Sequence, residues 1–513
     1  MSKLTYTTGA LDSELNERFE AALAEARSGE HPPLPHVIGG EEVREGEVLE
    51  RREPANTEAV ASRLHVAGPA QIERAVAAAR EAQPAWRRTP YERRCELLDK
   101  AAESIEGKRF EIAAILSVET GKTRTEALAE VQEGIDLIRT YTREMRENKG
   151  FERPLESFTA GERSVDVLRP YGVFAVVAPF NFPFALAINM SAAALVAGNA
   201  VVLKPSEDAA WSGAVIADAL AEAGLPQGLF NIVHGGPETG KALVRADVDG
   251  VAFTGSAEVG RDIASVMSSG PFLRPVLMEM GGKNPTVVSE HCDLEAAAEG
   301  VARAAFGLSG QKCSACSRAI VVGSEERYER FVELLAAEAE KWKVGDPSDP
   351  EAQLGPVINE AAAARFERAA GEAARDGRIA AGGNRPDLPG HYVEPTVVAD
   401  LPLGHRLTRD ELFLPFVTVT RVDSFDAAIE EANDVIYGLT AGVFSEKEDE
   451  VNEFLDRIEA GITYVNRRAG ATTGAWPGAQ SFCGWKASGA TGKGGLGPHY
   501  VPQFMREQCR TYA

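Results

Sequence analysis

Cys313 is the residue of this chain best placed for covalent chemistry. It lies in Ser309-Gly310-Gln311-Lys312-Cys313-Ser314-Ala315-Cys316, between a helical pattern that ends at Phe306 and a strand pattern that begins near Arg318. Most isolated cysteines are inert apolar groups in a core. A polar, Gly-flanked loop instead exposes the thiol, and the adjacent Lys312 favours the thiolate, which is the nucleophile. The Cys313/Cys316 spacing also fits a dithiol or half a zinc site. No second Cys or Cys/His pair completes four ligands, and the eight histidines form no His-Glu-x-x-His pair, so no metal is expected.

Glu279 is the second candidate, in Met278-Glu279-Met280-Gly281-Gly282-Lys283-Asn284-Pro285. A carboxylate at the end of a strand and before a Gly-Gly turn stands where α/β proteins build their sites. Desolvation near a thiol would raise its pKa and suit it to act as a base. Taken alone, a solvated loop acid is the commoner meaning of such a residue. Gly235-Gly236-Pro237-Glu238-Thr239-Gly240-Lys241-Ala242 nearly matches a phosphate-binding loop, but Ala242 stands where a magnesium-binding hydroxyl is needed. No G-x-G-x-x-G follows Val177, so the usual dinucleotide fingerprint is absent.

These residues need a frame. Apolar residues at three- and four-residue steps predict helices over 71–86, 92–105, 110–121 and 125–149. From Val173 strand and helix alternate: strands at 172–177, 200–203, 229–233, 250–253 and 275–278, and helices at 184–197, 211–223, from Gly240, and at 256–267. This pattern predicts a parallel sheet covered on both faces. A second alternating region has helices at 294–306, 325–341, 360–376 and 425–433 and a strand at 318–322. Residues 151–168 lack helical periodicity and read as a β arm, joined by the extended C-terminus. Residues 1–60 read as a variable extension. Residues 170–203 carry no charge, yet Pro179 and Pro183 break a membrane helix there, and buried parallel strands are continuously apolar.

Composition narrows the function classes. With 77 acidic and 54 basic residues the net charge is −23, which argues against nucleic acid or an anionic membrane as partner. The basic residues are 14 Lys and 40 Arg, and this Lys-poor acidic surface suggests a protein kept soluble in high salt. Six cysteines are too few for a disulfide framework, and residues 1–20 hold no apolar signal core, so a reduced, cytoplasmic protein is expected.

Six motifs occur in one order: Pro179-Phe180-Asn181-Phe182-Pro183, Lys204-Pro205-Ser206-Glu207, Phe253-Thr254-Gly255-Ser256 with Gly260, Glu279-Met280-Gly281-Gly282-Lys283, Gly310-Gln311-Lys312-Cys313 and Glu411-Leu412-Phe413. In these the chain resembles the NAD(P)-dependent aldehyde dehydrogenase superfamily, from about residue 50 to 510. The resemblance implies an α/β fold with a Rossmann-like cofactor domain (1–150 and 172–280), an α/β catalytic domain (281–480) and a small β oligomerisation arm (151–171 and 481–513). It implies Cys313 as nucleophile, Asn181 with the Cys313 backbone N–H as oxyanion donors, and Glu279 as the base that activates water. Lys204 and Glu207 would face the adenosine ribose, which favours NAD over NADP, with Gly255 and Ser256 at the pyrophosphate and Glu411 and Phe413 at the nicotinamide riboside. Leu414-Pro415 replaces the family's usual Gly-Pro.

The segment from Lys312 to Arg318 is similar to the nucleophile loop of the Δ1-pyrroline-5-carboxylate dehydrogenase group, which oxidises glutamate γ-semialdehyde in proline catabolism. That likeness implies Ser314 and Thr473-Gly474-Ala475 on the substrate carboxylate, and Phe182 and Phe482 on its aliphatic chain. Cys483-Gly484 stands where Gly-Gly is usual. Other carboxylated aldehydes, such as succinate or 2-oxoglutarate semialdehyde, fit the same anchor, and a binding protein that kept the fold is the alternative of another class. A small-molecule aldehyde and a homo-oligomeric partner are the associations implied.

Overall fold

The computed structural model describes residues 4–6, 8, 11–469 and 476–513. Its first sheet has seven strands in the order Val276–Met280, Gly250–Gly255, Val173–Val177, Ala200–Lys204, Phe230–Ile232, His36–Ile38 and Glu41–Val43. The first five run parallel and the last two antiparallel. The chain builds outward from Val173–Val177 on one side, then returns to lay Gly250–Gly255 on its other side. This reversal opens a crevice at the carboxyl ends of those two strands, the place where open α/β sheets take their ligands.

The uncharged run 170–203 is the centre of this layer. Strands Val173–Val177 and Ala200–Lys204 are buried almost throughout, as is the helix Pro183–Ala197 between them. Pro183 opens that helix, where its missing N–H costs no hydrogen bond, and Gly198 ends it at φ 100°. Among the described residues no helix is long and apolar enough to cross a membrane.

The second seven-stranded sheet runs Arg378–Ala381, Thr396–Ala399, Phe416–Val422, Cys316–Val322, Asn284–Val288, Thr440–Phe444 and Ile462–Val465. Only Gly281-Gly282-Lys283 separates the last parallel strand of the first sheet from Asn284–Val288 at the middle of the second. Cys316–Val322 lies beside Asn284–Val288 in parallel. A residue at the end of Val276–Met280 and one just before Cys316 are therefore brought to the same junction. Helices Leu294–Phe306, Glu360–Asp376 and Phe425–Asn433 cover this sheet with the bounds that periodicity predicts.

Residues 151–168 do form an arm. Glu152–Pro154, Arg163–Pro170 and Met505–Tyr512 make a three-stranded antiparallel sheet, with Met505 opposite Pro170 and Tyr512 opposite Arg163.

Three expectations need correction. Residues 1–60 are not a bare extension: they hold the helix Ser13–Ser28, two strands of the first sheet, and the hairpin Val48–Glu53/Asn56–His65. The helix buries only Phe19 and Leu23, too sparse a stripe to register as periodicity. The strand predicted to stop at Met278 continues through Met280, so Glu279 belongs to the sheet. The short helix starts at Pro237, not Gly240, because proline suits a first turn.

Candidate active site

The nucleophile loop is set by strain held in place. Leu308, Ser309 and Gly310 all have left-handed backbone, at φ 51°, 52° and 65°. Two of them are not glycine, and such conformations cost about 1–3 kcal/mol each unless neighbours fix them. The neighbours are present. Leu308 N–H donates to Glu126 Oε1 (2.6 Å) and Ser309 Oγ to the Gly355 carbonyl (2.7 Å). Gly310 lies so close to Leu414 that a Cβ would sit 2.0 Å from its carbonyl oxygen. The Leu414-Pro415 departure thus packs directly on the loop, with Leu414 buried. Asn284 finishes the placement: its Nδ2 donates to the carbonyls of Cys313 (2.8 Å) and Ala315 (2.9 Å).

Asn181 approaches from the other sheet. It follows strand Val173–Val177, and its Nδ2 donates to the Gln311 carbonyl at 2.9 Å, two residues before the thiol. Beneath it lies a buried ion pair that sequence reading missed. Lys122 Nζ and Glu130 Oε2 are 3.0 Å apart with both side chains sealed from solvent. Lys122 also donates to the Asn181 carbonyl. Glu130 Oε1 accepts from the N–H groups of Phe184 (3.0 Å) and Ala185 (3.1 Å), the unsatisfied first turn of helix Pro183–Ala197.

Cys313, Glu279, Ser314, Phe182 and Phe482 line one chamber of about 60 Å3. Gly474 and Ala475, the other expected substrate contacts, lie outside the described residues. The chamber also holds Glu133 and Lys312, which were not read as substrate contacts, and Tyr6 from the segment read as an extension. Cys316 takes no part: its Sγ faces Thr286 Oγ1 at 3.2 Å inside the sheet.

The electrostatics are those of a dry site. Burial pushes Glu279 well above the usual carboxylate range, tempered by a backbone hydrogen bond from Gly495, and its Oε2 has no partner among the described residues. Burial, then the charges of Glu411 and Glu279, push the Cys313 thiol up. The expectation that Lys312 tilts Cys313 to thiolate is therefore not met. Lys312 is itself lowered by burial, and its ammonium lies over the Tyr6 ring, 5.6 Å from its centroid, in the field of Glu126 and Glu133. Burial raises Glu133 to about 7.

The residues expected to hold a dinucleotide lie along the crevice. Lys204 Nζ is 3.3 Å from Glu207 Oε2 at the end of strand Ala200–Lys204. Gly236 lies beside that carboxylate, where a Cβ would make only an ordinary contact, 3.6 Å from Glu207 Oε1. Gly255 ends its strand, and Ser256 caps helix Ala257–Ser268, whose first N–H groups can receive an anion. Glu411 Oε1 accepts from the Gly282 N–H at 2.9 Å, and burial raises it to about 7. Phe413 meets Phe180 edge to face at 5.8 Å. A carboxylate with an ammonium at one end, backbone donors midway and a second carboxylate beside the thiol form a donor set that suits two riboses joined by a diphosphate.

A model of the aldehyde dehydrogenase family matches residues 42–509. The 1-pyrroline-5-carboxylate dehydrogenase of Bacillus licheniformis is 38% identical over 503 residues, covering 96% of this chain and 95% of that protein. A crystal structure of 1-pyrroline-5-carboxylate dehydrogenase from Thermus with bound NAD superposes with a TM-score of 0.92 at 33% identity, covering 98% and 97% of the two chains. Proline utilization A from Bdellovibrio bacteriovorus gives a TM-score of 0.92 at 36% identity over 97% of this chain; the match spans about half, 51%, of that longer protein.

Two outcomes follow from the site alone. Because the thiol is raised, alkylation of Cys313 by iodoacetamide, read by peptide mass spectrometry, will be slow at neutral pH and still rise above about pH 9; a plateau below pH 8 contradicts the assigned environment. Lys122→Met strands the Glu130 charge in the core, and urea unfolding should show a loss of about 3–5 kcal/mol; a loss under about 1 kcal/mol would remove the pair from its structural role.

Proposed function

The chain belongs to the aldehyde dehydrogenase family, and we propose that it oxidises glutamate γ-semialdehyde, the open form of 1-pyrroline-5-carboxylate, to glutamate with NAD. The observation that carries this choice is the charge pair in the chamber. Glu133 and Lys312 share it with Cys313. Glutamate γ-semialdehyde carries an ammonium and a carboxylate beyond its aldehyde. Succinate and 2-oxoglutarate semialdehydes carry the carboxylate but no ammonium, so neither brings Glu133 a cation. A buried carboxylate raised to about 7 gains most from a cation placed beside it. The chemistry printed for the similar proteins, 1-pyrroline-5-carboxylate dehydrogenase activity and bound NAD, agrees with this choice.

In this reading Cys313 attacks the aldehyde carbon as thiolate. The oxyanion that forms lies against the Asn181 side-chain amide and the Cys313 backbone N–H, donors each worth a few kcal/mol in the transition state. NAD held there would supply the hydride acceptor for the oxidation. The product on the enzyme is a thioester. Glu279 takes a proton from the water that hydrolyses it, and the thiol is released. Its raised pKa suits a group that must hold a proton and then shed it. Lys204 and Glu207 hold the adenosine ribose, Gly255 and Ser256 the diphosphate, and Glu411 and Phe413 the nicotinamide riboside. The Glu207 carboxylate repels a 2′-phosphate, which favours NAD. Ser314, with Gly474 and Ala475, receives the substrate carboxylate, and Phe182 and Phe482 flank its chain.

The arm supports a homo-oligomer: Glu152–Pro154 is an edge strand and Phe158 beside it is 94% exposed, a pairing surface for a second copy. The six cysteines are all free, which suits a reducing cytoplasm. Its Lys-poor acidic composition suits high salt.

NADH production should favour glutamate γ-semialdehyde over succinate semialdehyde by kcat/KM, and Glu133→Gln should cut that preference by roughly tenfold or more. Preference for succinate semialdehyde in the unaltered protein would overturn the substrate assignment. Glu279→Gln should lower steady-state kcat about 10²–10⁴-fold while a first-turnover burst of NADH survives; loss of the burst would place Glu279 before the thioester instead.

A further inference from the structure

Behind the chamber lies a larger cavity of about 540 Å3, open toward the surface and lined by Thr8, Glu126, Arg303 and Trp342 among others. Among the described residues only Tyr6 and Lys312 line both. Among the described residues the two spaces share one ring and one ammonium, and the ring comes from outside the stretch that matches the family model.

Tyr6 is held there from several directions. Its ring meets Phe182 edge to face at 5.7 Å and Trp476 at 5.9 Å. Its hydroxyl donates to Glu133 Oε2 at 2.5 Å. Thr5 N–H donates to Thr8 Oγ1 (2.8 Å) and Thr8 N–H to the Thr5 carbonyl (2.9 Å), bonds that link residues on either side of the tyrosine. The segment is tethered downstream by helix Ser13–Ser28, whose Phe19 and Leu23 are buried and whose Glu20 pairs with Arg124 at 3.0 Å.

We propose that Tyr6 is a specificity-determining residue: it closes the outer end of the substrate chamber, so that a short zwitterionic aldehyde fits between it and Cys313 while longer linear apolar aldehydes are refused. This rests on the aldehyde-oxidising reading of the same chamber. Two separate contributions are built into one side chain. The ring sets the length of the chamber by its packing on Phe182 and Trp476. The hydroxyl fixes the Glu133 carboxylate at the far end, where the substrate ammonium would sit. An apolar chain long enough to pass the ring would collide with it, and would offer the buried Glu133 and Lys312 no opposite charge in place of water, a cost that neutral aldehydes cannot offset.

The test compares Tyr6→Ala and Tyr6→Phe with the unaltered protein on glutamate γ-semialdehyde, propanal and hexanal. Tyr6→Ala should raise the hexanal-to-propanal ratio of kcat/KM at least about tenfold. It should also raise KM for glutamate γ-semialdehyde more than it lowers kcat. Tyr6→Phe keeps the ring, so its hexanal-to-propanal ratio should stay near the starting value, while KM for the zwitterion rises. A hexanal-to-propanal ratio within about twofold of the starting value in Tyr6→Ala would overturn the proposal. If the unaltered protein oxidises none of these aldehydes, the functional reading fails by itself. The closure is then read by alkylation of Cys313 with iodoacetamide and with the bulkier N-benzyl iodoacetamide, followed by peptide mass spectrometry. Tyr6→Ala should speed the bulky reagent selectively, and an equal effect on both reagents would overturn the proposal.

Discussion

The arrangement of this site depends on one ion pair that never meets water. Lys122 and Glu130 sit under the loop that carries Asn181, one holding its carbonyl and the other capping the helix that follows. Two buried charges are costly, and their mutual attraction alone seldom repays desolvation. Here each also satisfies backbone groups that would otherwise be orphaned at a strand end and a helix start. The pair converts a flexible strand-to-helix turn into a fixed platform. Asn181 then reaches across to the Gln311 carbonyl and ties the first sheet to the nucleophile loop of the second.

With the platform fixed, the remaining chemistry is a problem of crowded protons. Burial raises Glu279, Glu411 and Cys313 alike, and the two carboxylates push the thiol up further. The thiol is thereby shifted toward its protonated form.

Much of this was legible in the chain. Glycine pairs, the polar loop around Cys313 and the strand before Glu279 are local features, and they mark the junction because local rules govern turns and strand ends. The helices at Leu294–Phe306, Glu360–Asp376 and Phe425–Asn433 were read with their true bounds because each has a clear apolar stripe. What escaped was long-range. Glu130 and Glu133 lie on an amphipathic helix, where acids ordinarily mean a solvated face. Only tertiary packing turns them inward, toward Phe184 in one case and Tyr6 in the other. Tyr6 escaped for the same reason: 127 residues separate it from the carboxylate it bonds, and nothing around it in the chain announces a partner.

The arm has a consequence for how the protein is made. Its middle strand, Arg163–Pro170, must wait for Met505–Tyr512; Ser164 and Thr511, which face each other across it, are 347 residues apart. At about 5–20 residues per second, the ribosome needs roughly 17–70 s to deliver the missing partner. During that interval one edge of the strand is unpaired, while five strands of the first sheet, from Val173 to Met280, are still being made. Closing the arm is therefore among the last steps of assembly, and nascent chains crowded on one message have the greatest opportunity to pair wrongly at that edge.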